Sequence, residues 1–121
     1  GATARPADVL HNVVSDCCFT TNGHFLCTAS WDKTLKLWDL QAGGFRSHGG
    51  TPLQRGHDGS VSSCCFSADA NLLASGSYDR TVALWDMTER MKERERGRRG
   101  RQDREDEGER ERKKRETGQR G

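Results

Sequence analysis

The 121-residue chain is predicted to be an all-β protein made of two copies of one unit, followed by a charged tail without a core. Three observations predict this. A segment of the sequence recurs after 47 residues, the recurring segment divides into short strand-like runs, and the apolar residues stop near the end of the second copy. Of 38 hydrophobic residues, 37 lie in residues 1–88, so a core has to end near Met87.

The internal repeat is the strongest of these signals. A shift of 47 residues aligns Val14–Asp39 with Val61–Asp86 without a gap, and 12 of the 26 aligned pairs are identical. One inserted residue then aligns His11 with His57, so each unit begins with His and ends with Trp-Asp. Repeats of this length are typical of folds in which each unit packs against its neighbours.

Each unit is predicted to be a three-stranded meander. In the first unit, runs rich in Val, Leu, Phe, Cys and Thr predict strands over Val14–Phe19, Phe25–Ser30 and Thr34–Trp38. Asn22-Gly23 predicts a primed hairpin turn between the first two strands, because both residues tolerate positive φ. The second unit has Asp69-Ala70 at that place, which is a poorer turn sequence.

Hydroxyl side chains are predicted to lie opposite the tryptophans that end the two units. If the second hairpin of each unit is centred on its basic turn residue, Thr28 faces Trp38 and Ser75 faces Trp85. A buried indole N–H needs an acceptor, and a hydroxyl on the adjacent strand provides one without burying a charge. The sequence therefore predicts an indole–hydroxyl hydrogen bond in each unit.

The combined motif resembles a known repeat. A His, a gap of about 26 residues and a Trp-Asp preceded by S-x-D-x-T are similar to the WD40 repeat, whose blades pack radially into a β-propeller. The second unit matches better, with Gly56-His57 at its start, whereas Leu10 replaces the usual Gly before His11. The resemblance covers roughly residues 10–88, and His11–Leu40 is more narrowly similar to PQQ- and WD-repeat-containing proteins.

This resemblance implies a hydrogen-bonded tetrad in each blade. In the WD40 family the bonds run from the Trp indole to the hydroxyl, on to the His of the loop, and then to the Asp of the tight turn. Carried over by position, the tetrads are Trp38, Thr28, His11, Asp32 and Trp85, Ser75, His57, Asp79. We expect their role to be structural.

A catalytic interpretation of the same residues is less favoured. Ser75, His57 and Asp79 have the residue types of a hydrolase triad. The set recurs in the first unit with Thr28 in place of Ser, and the chain has no G-x-S-x-G elbow. We therefore expect no catalytic residue and no enzymatic activity.

A metal site is also disfavoured. The five cysteines include no C-x-x-C pair, and adjacent strand residues such as Cys17 and Cys18 point to opposite faces, so they cannot bind one zinc ion together with His11 or His57. Their odd number argues against a disulfide framework. We expect no metal, no cofactor, and an intracellular location, either cytoplasmic or nuclear.

Two aromatic residues mark a candidate surface for binding other proteins. Trp31 and Tyr78 occupy equivalent positions just before the turn Asp, beside Lys33 and Arg80. Exposed aromatic and basic residues are frequent anchors of protein interfaces. The alternative is that these side chains only cover the end of a hairpin, since single exposed aromatics are normal.

The two units are too few for a closed ring. Propellers have four to eight blades, so an incomplete propeller exposes blade faces through which the chain can self-associate. Gly43-Gly44, Gly49-Gly50 and Pro52 predict weak pairing of an outer fourth strand in the first unit. Because the chain begins with Gly1 and has no third Trp-Asp, we expect it to be a fragment of a larger protein.

The tail has a different composition from the repeats. Residues 89–121 carry 14 Lys or Arg and 10 Asp or Glu, and Met91 is their one apolar residue, which predicts a disordered or frayed-helical segment interrupted by Gly97, Gly100 and Gly108. Basic runs such as Arg112-Lys113-Lys114-Arg115 can contact phosphates. The interspersed acidic residues and the absence of aromatics make nucleic-acid binding the less favoured alternative.

These observations predict a non-enzymatic scaffold for protein–protein interaction of the WD40 type, with an RNA-associated factor acting through the tail as the alternative. The domain prediction is a lead-in over 1–10, one repeat over 11–55, an incomplete repeat without a fourth strand over 56–88, and the tail over 89–121. Apolar runs are too short for a membrane span, so no membrane partner is expected.

Overall fold

The computed structural model describes residues 12–41, 50–54 and 56–118. The lead-in over 1–10 and His11 lie outside the described residues. The strands are β1 (Val14–Phe19), β2 (Phe25–Ser30), β3 (Leu35–Asp39), β4 (Thr51–Pro52), β5 (Val61–Phe66), β6 (Leu72–Ser77) and β7 (Val82–Asp86), and one helix, α1, spans Thr88–Glu116.

The strands form two antiparallel sheets that follow the internal repeat. The first sheet has the order β1-β2-β3-β4, and the second has the order β5-β6-β7. Strand β4 is only two residues long, as expected of an outer strand that contains proline. The predicted all-β blades are confirmed in this form: two sheets of four and three strands that do not close into a ring.

Apolar residues of both repeats make the core. Buried side chains in the first sheet include Phe25, Cys27, Leu35 and Leu37, and they alternate along their strands with partly exposed residues. Strand β5 packs against β1 and β2, so the second sheet covers one face of the first. Two sheets that share an apolar face in this way stabilise each other by removing that face from water.

The turns between the first two strands of each unit differ from the prediction. Gly23 has a φ of 75° and its amide donates to the Thr20 carbonyl at 2.9 Å, but Asn22 keeps a negative φ, so the turn is not primed. In the second unit Ala70 adopts a φ of 64°, and the Asp69 carboxylate accepts the Asn71 amide at 3.0 Å. The side chain before the left-handed residue therefore stabilises this turn even where glycine is absent.

The register of the second hairpins also differs from the prediction. Trp38 lies opposite Leu26 rather than Thr28, and Trp85 lies opposite Leu73 rather than Ser75. Each hairpin has a three-residue loop instead of a centre on its basic residue, and this shifts the pairing by two residues. A shift of two keeps every side chain on its predicted face.

Most of the tail belongs to the continuous helix α1, Thr88–Glu116, and the expectation that Gly97, Gly100 and Gly108 interrupt it is wrong. Charged pairs spaced three or four residues apart stabilise successive turns: Arg99 lies 2.8 Å from Glu95 and Lys113 lies 3.6 Å from Glu109. Glu89 lies in the first turn and basic residues lie in the last turn, both favourable to the helix dipole. Over the part of the tail that the structure describes, the predicted helical alternative is therefore observed.

Candidate functional site

A chain of hydrogen-bonded side chains runs through the second sheet. The Trp85 indole Nε1–H donates to the Ser75 hydroxyl oxygen at 2.9 Å. The same oxygen lies 2.8 Å from Nε2 of His57, whose Nδ1 lies 3.1 Å from the Asp79 carboxylate. His57 and Ser75 are both buried. The structure thus brings together the four residues of the second predicted tetrad.

The hydrogen-bond directions follow from the chemistry of the four groups. The indole can only donate, so the Ser75 oxygen accepts from Trp85 and its own hydrogen is free to donate to Nε2 of His57. A His57 ring that carries its hydrogen on Nδ1 then donates that hydrogen to the Asp79 carboxylate. Three hydrogen bonds therefore link the four side chains in one direction, from indole to hydroxyl, from hydroxyl to imidazole and from imidazole to carboxylate.

This geometry favours a structural role over nucleophilic catalysis. Ser75, His57 and Asp79 are spaced as in a hydrolase triad, but Ser75 is only 2% exposed and its oxygen is already bonded to Trp85. A nucleophile has to reach a substrate, and this one is enclosed by its own blade.

Asp79 is the most heavily bonded member of the chain. Its carboxylate accepts the Thr81 hydroxyl at 2.5 Å, the Thr81 amide at 2.8 Å and the Asp58 amide at 3.0 Å. The Thr81 hydroxyl, helped by both amides and by His57, holds the pKa of Asp79 far below its usual range. The carboxylate is therefore ionised throughout the physiological range, and it fixes both the turn and the histidine ring.

Sequence reasoning missed two contributors to this chain. Thr81 completes the bonds of Asp79, and its oxygen lies 3.2 Å from Nδ1 of His57. A Cβ atom on Gly56 would lie 2.4 Å from Cζ2 of Trp85, so only glycine permits this packing of the loop against the indole. Both residues belong to the motifs that carried the resemblance, Gly-His and S-x-D-x-T, but no role was assigned to either.

The first sheet repeats the described part of this arrangement. The Trp38 indole donates to the Thr28 hydroxyl at 3.0 Å, and Asp32 accepts the Thr34 amide at 3.0 Å. Burial opposes ionisation of Asp32, but the hydroxyl and amide of Thr34 outweigh it and lower the Asp32 pKa. His11, the fourth predicted member, lies outside the described residues.

The described residues offer no metal centre. Among them, no group of three or more His, Cys, Asp or Glu side chains is placed to hold a metal ion. Both ring nitrogens of His57 are already engaged in hydrogen bonds. Within the described ranges, α1 is the only helix, and it is not apolar enough to cross a membrane.

The four predicted partner-facing residues lie at the tips of two equivalent turns. Trp31 and Lys33 are exposed in the first sheet, as are Tyr78 and Arg80 in the second. Both basic residues have positive φ, 76° and 71°. The hydroxyl of Ser60 donates to the Trp31 carbonyl at 3.2 Å, and its carbonyl accepts the Tyr78 amide at 2.9 Å. One serine therefore ties the two tips together.

Comparison with known proteins connects these features to a family. The family model described as "WD domain, G-beta repeat" matches residues 8–39 and 50–86, more than half of the chain. RACK1, a small ribosomal subunit protein, is 53% identical over 30 residues in Schizosaccharomyces pombe and 50% identical over 32 residues in Neurospora crassa. The Caenorhabditis elegans RACK1 protein is 48% identical over 46 residues.

These relatives are matched over a small part of their length. The three matches cover 25%, 26% and 36% of this chain but only 10%, 10% and 14% of the respective relatives. None of the three is a PQQ- and WD-repeat-containing protein, so that narrower similarity stays a prediction. The matches lend no support to the alternative of an RNA-associated factor acting through the tail.

Proposed function

Because this chain belongs to the WD40-repeat family, we propose that it is part of a non-enzymatic scaffold that binds other proteins through the turn tips of its blades. We call the surface made by Trp31, Lys33, Tyr78 and Arg80 the aromatic–basic rim. The WD40 match and the RACK1 relatives support the scaffold class. In this proposal the two blades form one part of a larger propeller.

The observation that carries the proposal is the connection of the two turn tips through Ser60. Because that residue bonds to the backbone of both Trp31 and Tyr78, it holds next to each other the two turns that carry the aromatic side chains. A preorganised pair loses less conformational freedom on binding than two independent loops. Aromatic side chains beside cations also suit a partner that offers both apolar and acidic groups.

The polar chain behind the rim supports rigidity. Asp79 bonds to the turn and to His57, so the tip of the second blade is held by contacts that reach the partly buried Trp85. We infer that both tetrads, the first with His11 as its fourth member, stiffen the blades instead of reacting with a substrate. We also propose that the repeats span 11–55 and 56–88. The same proposal includes an intracellular setting, which the five free cysteines support.

Site-specific photo-crosslinking in cells tests this function. The photo-reactive residue p-benzoylphenylalanine replaces Trp31 or Tyr78, and in the matched control it replaces Asn22, which is exposed at the opposite end of the first blade. We expect discrete adducts with the same partner from positions 31 and 78 and none from position 22. The double change Lys33→Ala and Arg80→Ala should reduce both adducts. Equal labelling from all three positions would contradict a specific rim.

A further inference from the structure

The two sheets differ in which of their faces is covered. We call the side of the first sheet that bears Phe25, Cys27 and Leu37 its front face, and the opposite side, which bears Thr28 and Trp38, its back face. The same names apply 47 residues later in the second sheet, where the register is identical.

The front face of the first sheet packs on the back face of the second. Cys18, opposite Cys27 in the register, has its sulfur 3.6 Å from that of Cys64, which lies opposite Ser75. The Asp16 carboxylate accepts the Cys64 amide at 3.0 Å across the same junction. The chain therefore contains one complete example of a front-to-back junction.

The front face of the second sheet is far more exposed than that of the first. Phe25, Leu35 and Leu37 of the first sheet are 4%, 2% and 6% exposed, whereas their equivalents in the second sheet, Leu72, Val82 and Leu84, are 48%, 73% and 71% exposed. Three large aliphatic side chains in one patch are a feature of interaction sites rather than of ordinary surface.

On the first sheet, the exposed surface is instead the back of its first strand, β1. Val61 is fully buried in the junction, but its equivalent Val14 is 46% exposed. Cys64 is buried, whereas its equivalent Cys17 is exposed. The chain thus carries both halves of a second junction, an open front on the second sheet and an exposed strand β1 on the back of the first sheet.

We propose that the open front face of the second sheet binds the open back face of the first sheet in another copy of this chain, repeating the internal junction. Such head-to-tail contacts are heterologous, and they close into a ring when the rotation between successive blades allows it. A four- to eight-bladed ring corresponds to two to four copies of a two-bladed chain. The occupant is a second copy because the internal junction already shows that these repeat sequences fit each other.

The internal contacts predict specific contacts between copies. Cys65 is equivalent to Cys18 and Cys17 is equivalent to Cys64, so Cys65 of one copy meets Cys17 of the next. Both residues are exposed in the single chain. The Ser62 hydroxyl, equivalent to that of Ser15, is placed to donate to the Val14 carbonyl of the next copy, because Ser15 donates to the Val61 carbonyl within the chain.

Sedimentation velocity on the full chain tests the assembly. We expect species at whole multiples of the monomer mass that grow with concentration. Leu84→Glu blocks the front face and Val14→Glu blocks the back face, and each variant alone should lose all association. Mixed together they should form a dimer and nothing larger, because one copy supplies an intact front and the other an intact back. Both side chains are exposed, and far-UV circular dichroism checks that each variant stays folded.

Thiol cross-linking tests the proposal without altering the apolar faces. Diamide oxidises two adjacent thiols to a disulfide, and its azo group takes up the two electrons and two protons. The wild-type chain should give a ladder of linked copies on a non-reducing gel. Cys17→Ser and Cys65→Ser should each lose the ladder, and their mixture should recover only a linked dimer.

Three results would overturn the proposal. The first is a chain that stays monomeric at every concentration, which would favour a further blade of a longer protein as the occupant. The second is a homodimer of either blocked variant, which would indicate face-to-face pairing of identical surfaces. The third is a linked dimer that survives in Cys17→Ser alone, since a Cys65–Cys65 contact belongs to such identical pairing.

Discussion

At the scale of single residues, the second blade depends on a histidine that is bonded on both sides. His57 connects a hydroxyl on β6 to a carboxylate in the turn that follows, so strand and turn are held by one ring. Among the described residues, no buried side-chain nitrogen or oxygen lacks a partner. A satisfied network of this kind specifies a single arrangement, whereas each unpaired buried group costs about 1–3 kcal/mol.

The substitution Trp85→Phe tests the indole end of this network. It removes the donor to Ser75 and keeps most of the ring, so we expect the free energy of unfolding to fall by about 1–3 kcal/mol. Urea unfolding followed by far-UV circular dichroism measures the change. Trp31→Phe is the matched control because Trp31 is exposed, and we expect it to stay within about 0.5 kcal/mol of wild type. Equal losses in both variants would argue against the indole bond.

Asp79 makes the stability of the blade sensitive to acid. Its pKa in the folded chain lies well below the value near 3.9 of an unfolded chain, chiefly because the Thr81 hydroxyl donates to it. The unfolded chain therefore takes up the proton first as the pH falls. The stabilisation is complete above about pH 5 and is lost as the pH falls through about 4 towards the folded pKa.

Urea unfolding at a series of pH values between about 6 and 2.5 checks this expectation. The wild-type chain should lose stability steeply below about pH 4, and Asp79→Asn should be less stable at neutral pH with a shallower acid loss. Thr81→Val removes the hydroxyl donor and should also flatten the curve. Some slope remains in both variants because the pKa values of Asp32 and Asp69 are lowered too. Parallel curves for all three proteins would be inconsistent with this role for Asp79.

At the scale of elements, the sequence predicted the sheet face of each side chain better than the residue that lies opposite it on the neighbouring strand. The two-residue alternation of the strands placed Thr28 on the same face as Trp38, and the hydrogen bond between them forms at 3.0 Å. The direct pairing was wrong because Lys33 takes a positive φ inside a three-residue loop, and neither loop length nor φ can be read from a basic residue at that position. The bond runs diagonally from the indole, which is long enough to reach a neighbour two residues along the partner strand.

The continuity of helix α1 was underestimated for a related reason. Composition predicted a segment without a core, which is consistent with the mostly exposed charged faces of α1. Composition does not weigh the order of the charges, and it is their three- and four-residue spacing that pairs Glu95 with Arg99 and Glu109 with Lys113. Each exposed pair contributes only about 0.3–0.5 kcal/mol, so the helix depends on many of them together.

Gly108→Ala tests the helical state of the tail. A Cβ atom at this position meets nothing within 4 Å, and alanine is favoured over glycine in helix interiors by about 1 kcal/mol. We expect stronger ellipticity at 222 nm in the full chain. Gly23→Ala is the matched control: it also meets nothing within 4 Å, but its φ of 75° strains an alanine, so that variant should be destabilised. A tail without helix would show no gain from the change at Gly108.

At the scale of the whole molecule, the two repeats are similar in sequence but unequal in their contacts. Asp16 and Ser63 are equivalent positions, yet Asp16 reaches across the junction to the Cys64 amide, while Ser63 is exposed. In a repeat protein the stability is the sum of the blades and of the junctions between them. Comparing a substitution at Asp16 with the same substitution at Ser63 therefore separates the stability of the junction from that of the blades.

Asp16→Ala should weaken the junction and thereby both blades. It leaves the part-buried Cys64 amide without its acceptor, and we expect the free energy of unfolding to fall by about 1–3 kcal/mol. Hydrogen exchange should show faster exchange in β2 as well as in β5, because the two strands pack on each other. Ser63→Ala, measured at concentrations where the chain is monomeric, should change the free energy of unfolding by no more than about 0.5 kcal/mol. It should leave hydrogen exchange in β2 and β5 unchanged. If the effect of Asp16→Ala stayed within β1, the blades would be folding independently, and the exposed front of the second sheet would then have less to gain from a partner blade.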